Sequence, residues 1–357
     1  MTTAFTFQAN PARVVFGDGT LATLPEEVAR LGLSRALILA TPAQEEDAQR
    51  TAALLGLRAA GVFAGATMHT PVDVTERAVA VAADLRADGV VAVGGGSTTG
   101  LAKAIALRTD LPQIVVPTTY AGSEMTPILG ETRDGAEVTQ SSPRVLPEVV
   151  IYDVALTLTL PPALSGTSGI NAIAHAVEAL YARDRNPVIS LLALDGIARL
   201  ARALPSIVDD PGDRTARADA LQGAWLCGLC LGAVGMALHH KLCHTLGGGW
   251  GLPHAETHTA VLPHALAYNA PAVPEAMERL ATVLGSDPAR ALYDLAGRVG
   301  AARGLGELGL PDDAVEAAAT AALANPYWNP RPLERDAITR LLRDAQASTP
   351  PRPQESA

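Results

Sequence analysis

Aromatic side chains are scarce in this chain, at 4% of 357 residues, so Ala, Leu and Val have to fill its core. Cysteine is scarcer. Cys227, Cys230 and Cys243 are the three present, and an odd number in a long chain argues against a disulfide framework. Cys227 and Cys230 form a C-x-x-C inside the apolar stretch GAWLCGLCLGAVG. With no second cysteine pair, they read as two buried thiols on a helix rather than as structural zinc ligands. Cys243, beside His244, also reads as a buried helix position, with a nucleophilic role as the alternative. Basic charge is in deficit, with a formal net charge of -10. That balance speaks against nucleic acid as a partner, and an anionic ligand would need its own local donors. No uninterrupted apolar run is long enough to cross a bilayer. The N-terminal MTTAFTFQANPARVVFGDG lacks the basic start and apolar run of a signal peptide. The expectation is a cytoplasmic protein in a reducing compartment, with no membrane partner.

What the chain does have is hydrophobic residues, 48% of the total, enough for a substantial core, and length enough for two domains. Short β-branched runs alternate with Ala/Leu-rich stretches in the first part. RALILAT (Arg35–Thr41), GVVAVGGGS (Gly89–Ser97), PQIVVPTTY (Pro112–Tyr120) and PEVVIYD (Pro147–Asp153) read as strands. VTERAVAVAADLRAD (Val74–Asp88) and LAKAIAL (Leu101–Leu107) read as helices between them. Such alternation implies a parallel sheet covered on both faces. Beyond TLTLPPALSG the strand signal fades, and Gly169–Tyr181, Val188–Leu204, Thr215–Cys243, Pro274–Leu284 and Ala289–Arg303 read as helices. The predicted fold is a Rossmann-like α/β domain over residues 1–162 and an all-helical domain over 163–347. A polar, Pro-rich tail, 348–357, is expected to be disordered. A cleft between two such domains is a natural ligand site.

Gly94, Gly95, Gly96 and Ser97 stand between a strand and a helix. Glycines there let the backbone approach a phosphate, and the helix N-terminus offers unpaired N–H groups. The run is neither a G-x-G-x-x-G fingerprint nor a P-loop. A tight turn that needs glycine is an equally good reading. Thr118 and Thr119 end the next strand, on the side where α/β sheets bind ligands; they suit ribose or phosphate oxygens, or a plain polar loop. Thr41 ends the RALILAT strand, and no acid follows before Glu45. Nothing there would repel the 2′-phosphate of NADP, so both NADH and NADPH are expected to serve.

Seven of the eight histidines lie between His175 and His264. Asn171 and His175 are four residues apart and share a helix face, as do His240 and His244. His254 follows a glycine loop. Imidazoles from two helices and a loop would converge either as ligands for Zn²⁺ or Fe²⁺ or as proton donors and anion binders. For His69, His239, His258 and His264 ordinary structural roles are expected.

The segments GGGSTTGLAKAIA, VVPTTYAGSE, LTLPPALSGTSGINAIAHAVEALY, LHHKLCHTLGG, LPHAETHTAVLPHALAYN and NPYWNPRP together resemble the iron-containing (group III) alcohol dehydrogenase superfamily, over almost the whole chain. Several of them are similar to a narrower branch, the maleylacetate reductases. The resemblance implies the dehydroquinate synthase-like architecture, a homodimer and NAD(P)H chemistry on a small dicarboxylate. That chemistry would be reduction of the conjugated carbon–carbon double bond of maleylacetate to 3-oxoadipate in aromatic catabolism. Metal-dependent members carry one Asp and three His as ligands. His175, His240 and His254 stand at the histidine positions, but Asn171 stands at the Asp position, and Thr98 and Gly100 replace the wider family's Pro and Asp. No obligatory metal is therefore implied. His244 and His254 are the expected enolate stabilisers and proton donors. His175 and His240 would hold a carboxylate or orient the others, with Asn171 as a hydrogen-bond partner and Lys241 as a further positive charge. The alternatives are a metal-dependent alcohol dehydrogenase and a non-catalytic nucleotide-binding protein.

Overall fold

A computed structural model describes residues 5–7, 9–10, 13–133, 136–325 and 327–352. The described chain forms two compact units, one over Ala9–Leu160 and one that joins residues 5–7 to the chain from Pro161 onward. The first holds the strands β1 (Arg13–Gly17), β2 (Ala36–Leu39), β3 (Ala59–Phe63), β4 (Gly89–Gly94), β5 (Gln113–Pro117), β6 (Ile128–Arg133), β7 (Ala136–Ser141) and β8 (Val149–Asp153). Its helices are α1 (Leu24–Arg30), α2 (Glu45–Leu55), α3 (Val72–Asp84) and α4 (Gly96–Thr109).

Six strands form one parallel sheet in the order β1-β8-β5-β4-β2-β3. Strands β2, β4, β5 and β8 are buried along their length, which is why they read as continuous apolar runs. Alternate residues serve opposite faces. Ile38, Val91, Val93, Ile114 and Val116 pack with Val28 and Ala48 of α1 and α2. Leu37, Leu39, Val90, Ala92 and Val115 pack with Ala78 and Ile105 of α3 and α4. From β2 the chain runs outward to β3 and then returns past β2 to β4. The direction of strand addition therefore reverses between β2 and β4, and their carboxyl ends flank the crevice where open α/β sheets take ligands. The antiparallel hairpin β6–β7 stands apart from this sheet. Its polar, alternating ILGETR and AEVTQS carried no strand signal strong enough to read.

The second unit is helical: α5 (Pro162–Tyr181), α6 (Pro187–Asp209), α7 (Arg214–Ala233), α8 (Leu238–Trp250), α9 (His254–Asn269), α10 (Pro274–Leu284), α11 (Pro288–Arg298), α12 (Val315–Leu323) and α13 (Arg335–Gln346). Proline at the first turn starts α5, α6, α10 and α11. The side chains of Asn186, Asp213 and Asp287 cap α6, α7 and α11. Every residue of α5 from Ser165 to Tyr181 is buried. Small residues make that possible. A Cβ on Gly169 would stand 2.6 Å from Leu204, and one on Gly166 would stand 2.7 Å from Val299. The polar side chains on α5 thus need partners inside the protein.

Two helix expectations are corrected. Thr215–Cys243 is not one helix; α7 and α8 meet at an angle of 94°. At the break the Gly235 N–H donates to Asp184 at 3.0 Å, and the Ala237 and His239 N–H groups donate to Glu178 at 2.8 Å. These carboxylates satisfy the N–H groups that a new helix start exposes. Nor is Gly247–Gly249 a loop: the glycines complete α8, and Gly251 ends it in the left-handed region. Residues 353–357 of the expected tail lie outside the described residues. Just before them the Thr349 N–H donates to the Asp344 carbonyl at 2.9 Å, and Arg352 pairs with Asp344 at 3.1 Å.

Candidate active site

In the α/β unit the glycine run turns β4 into α4. Gly94 has φ 153°, and a Cβ there would stand 2.5 Å from Thr98 Oγ1 and 2.8 Å from Gln44 Oε1. A Cβ on Gly95 would stand 2.9 Å from Thr119 Cγ2. Those two glycines meet the needs of a tight turn. Gly96 does not: it is exposed, and the nearest atom to its Cβ position is 3.9 Å away, on Ala121. No side chain caps α4, and the N–H groups of Gly96 and Ser97 have no intrahelical partner. This open helix start suits an anion such as a pyrophosphate.

The loops around it are tied together. The Thr118 N–H donates to the Gly94 carbonyl at 3.0 Å. Gln44 donates to Thr118 Oγ1 at 3.1 Å and accepts from Thr41 Oγ1 at 3.2 Å. Thr41 and Thr118 are therefore linked across the crevice by Gln44, a residue the sequence did not mark. Lys103 of α4, also unmarked, is fully buried. Its Nζ donates to the Ser123, Thr126 and Ile128 carbonyls and to Thr126 Oγ1, at 2.5–2.9 Å, and so pins the segment after Thr118 and Thr119.

In the helical unit six imidazoles form one connected cluster, with ring centroids 4.3–6.4 Å from their neighbours. His175 comes from α5, His239, His240 and His244 from α8, and His254 and His258 from α9. Three helices meet there, where two helices and a loop were expected. His244 and His254 are exposed and stack at 6.4 Å. The other four are buried. His239 and His258, expected to play ordinary structural roles, lie inside the cluster with His239 Nε2 2.9 Å from His258 Nδ1. Burial pushes both far below the ordinary imidazole range, and the neighbouring imidazoles push them further. The signal for His258 was its spacing of four from His254.

Behind the exposed pair runs a hydrogen-bonded chain. Glu178 of α5 is fully buried. Its carboxylate accepts from His240 Nδ1 at 2.7 Å as well as from the start of α8. His240 Nε2 is 2.8 Å from His175 Nδ1. A carboxylate only accepts, so a neutral His240 keeps its proton on Nδ1 and takes a hydrogen bond from His175 at Nε2. Glu178 was legible in principle, three residues after His175 and seven after Asn171 on the same helix face. Lys241 lies over the Tyr327 ring, 5.7 Å from its centroid.

Asn171, His175, His240 and His254 would be the metal set. Asn171 is buried, and its Oδ1 has no hydrogen-bond partner among the described residues. That atom offers a cation only a neutral carbonyl. The nearby carboxylate, Glu178, is committed to His240 and to the α8 backbone. A divalent cation in this set would meet no anionic ligand, so the donors fit one poorly.

No single helix among the described residues is long and apolar enough to cross a membrane. Residues 11–154 match the iron-containing alcohol dehydrogenase family, and residues 165–346 match the C-terminal part of the Fe-containing alcohol dehydrogenase family. A maleylacetate reductase of Rhizobium sp. (strain MTP-10005) is 58% identical over 341 residues, covering 96% of this chain and 97% of that protein. One of Sphingobium indicum is 56% identical over 348 residues, covering 97% and 99%. The crystal structure of maleylacetate reductase from Agrobacterium tumefaciens superposes with a TM-score of 0.95 at 56% identity, covering 98% of this chain and 100% of that one.

Proposed function

The chain belongs to the iron-containing alcohol dehydrogenase family, and from that premise we propose that it reduces maleylacetate to 3-oxoadipate with NADH or NADPH, without an obligatory metal, as a homodimer. The observation that carries this reading is the donor set. Asn171 stands where an anionic ligand is needed, Glu178 is committed elsewhere, and two exposed imidazoles face outward from the buried ones.

The nucleotide fits the α/β unit. The N–H groups of Gly96 and Ser97 would take the pyrophosphate, while Gly94 and Gly95 hold the turn. Thr41, Thr118 and Thr119 would meet ribose or phosphate oxygens. Bound there, the reduced nicotinamide supplies a hydride.

The helical unit binds the substrate and manages charge and protons. Maleylacetate carries a carboxylate at each end and an alkene conjugated to a ketone. When the alkene carbon β to the ketone gains a hydride, negative charge moves to the ketone oxygen. His244 and His254 stabilise that oxygen by hydrogen bonding, and one of them delivers a proton to the neighbouring carbon. One hydride and one proton complete the reduction. The conjugated ketone takes up the charge internally, so the reaction does not depend on a Lewis acid as reduction of an isolated carbonyl does. His175 and His240 orient the exposed pair, through the chain that ends on Glu178.

The test is oxidation of NADH or NADPH in the presence of maleylacetate, followed at the nicotinamide absorbance before and after exhaustive chelation. Activity that survives chelation is expected. Complete loss, restored by Fe²⁺ or Zn²⁺, overturns the metal-free reading. No turnover of maleylacetate, with alcohol oxidation by NAD⁺ instead, overturns the substrate.

A further inference from the structure

Two ladders of donors run along α8 and α9, offset from each other. The outer one holds His240, His244 and His254. The inner one holds His239, Cys243 and His258, and the proposed reduction uses none of its members directly. His239 and Cys243 are four residues apart on α8 and share a face. His258 lies one turn beyond His254 on α9. The three are 0%, 2% and 0% exposed, and one donor atom from each lies within 4.8 Å of the other two.

The spacing is close to that of a coordination site. His239 Nε2 is 2.9 Å from His258 Nδ1 and 3.8 Å from Cys243 Sγ. Bonds of about 2.0–2.1 Å to nitrogen and about 2.3 Å to sulfur, arranged tetrahedrally, put neighbouring donors roughly 3.3–3.6 Å apart. The observed separations bracket that range, so small tilts of the rings suffice. Neither ring is held from its far side: His239 Nδ1 and His258 Nε2 have no hydrogen-bond partner among the described residues.

We propose that His239, Cys243 and His258 form a binding site for a thiophilic divalent cation, Zn²⁺ or its spectroscopic substitute Co²⁺. Two imidazoles and a thiolate supply soft donors and one negative charge, which the set of Asn171, His175, His240 and His254 lacks. On binding, the Cys243 thiol releases its proton to solvent, and two metal–nitrogen bonds replace the His239–His258 hydrogen bond. The exposed His254, with its ring 4.3 Å from that of His258, gives the cation its approach. The site stands independently of the substrate reading, so its test reads the metal and not turnover.

The experiment adds Co²⁺ alone to the full chain, previously stripped by chelation, and follows the thiolate-to-cobalt charge-transfer band in the near ultraviolet. One ion per chain with that band is expected. Cys243→Ser should abolish the band, and His258→Gln should weaken binding at least about tenfold. Cys227→Ser, which removes a thiol of α7, should leave the band intact. Absence of the band in the wild-type chain, its survival in Cys243→Ser, or its loss in Cys227→Ser overturns the proposal. If Cys243→Ser fails to fold by circular dichroism, undiminished binding in His258→Gln decides against the site equally.

Discussion

At the scale of single residues the imidazole cluster divides into an exposed pair and a buried four. His244 is exposed and stacked on His254, and the proposed reduction makes it a proton donor. His244→Ala should lower kcat by roughly two to four orders of magnitude while NADH affinity, measured by fluorescence titration, stays unchanged. A near-normal kcat would remove His244 as the proton donor. Glu178 acts one layer back. Glu178→Gln leaves one carbonyl oxygen where two carboxylate oxygens now accept from His240 Nδ1, Ala237 N–H and His239 N–H. At least one buried donor then loses its partner, at a cost of about 1–3 kcal/mol. A loss of unfolding free energy of that size, read from urea denaturation, is expected, together with a lower kcat. The pair Asn171 and His175 was legible from spacing alone. The commitment of Glu178 was not, because its partners lie 59 to 62 positions away in sequence.

At the scale of elements the glycine turn and the break before α8 behave differently. Gly94 and Gly95 are required by their neighbours, whereas Gly96 is not. Gly96 also sits outside the left-handed region. Gly96→Ala should therefore fold as well as the wild type or gain up to about 1 kcal/mol. It should still raise the KM for NADH about tenfold, because the methyl group blocks a close hydrogen bond to a charged phosphate. An unchanged KM would leave Gly96 as a turn residue only. A G-G-G-S run looks the same in sequence whether or not space lies beyond it, and only the packing shows that Gly96 has open space where Gly94 and Gly95 have close neighbours. The break at residues 234–237 was hidden for a related reason. Apolar periodicity continues across it, and what stops α7 is the capture of backbone N–H groups by Asp184 and Glu178.

At the scale of the whole molecule the buried imidazoles set an acid limit. Burial lowers His264 from 6.5 to about 4, and His239 and His258 are shifted in the same direction. Between those two values the unfolded chain binds more protons than the folded one, so stability falls as pH falls through that window. For His264 alone the loss is at most about 3 kcal/mol. All three tryptophans, Trp225, Trp250 and Trp328, lie in the helical unit, so their fluorescence reports its unfolding. Urea midpoints at about pH 7.5 and about pH 5 should differ less in His264→Gln than in the wild-type chain. An equal difference in both would exclude His264 as a source of the acid sensitivity.

The sequence by itself determined the α/β sheet followed by helices, since buried parallel strands and long helices leave periodicities that need no partner to be read. It also determined that Asn171 and His175 share one helix face, since four residues separate them. Tertiary structure decided which histidines face outward, which share a buried hydrogen bond, and that His239, Cys243 and His258 come together behind them. Those outcomes depend on how α5, α8 and α9 are rotated against each other. A helix pattern encodes which residues share a face, but the face that meets a neighbour is settled only by packing.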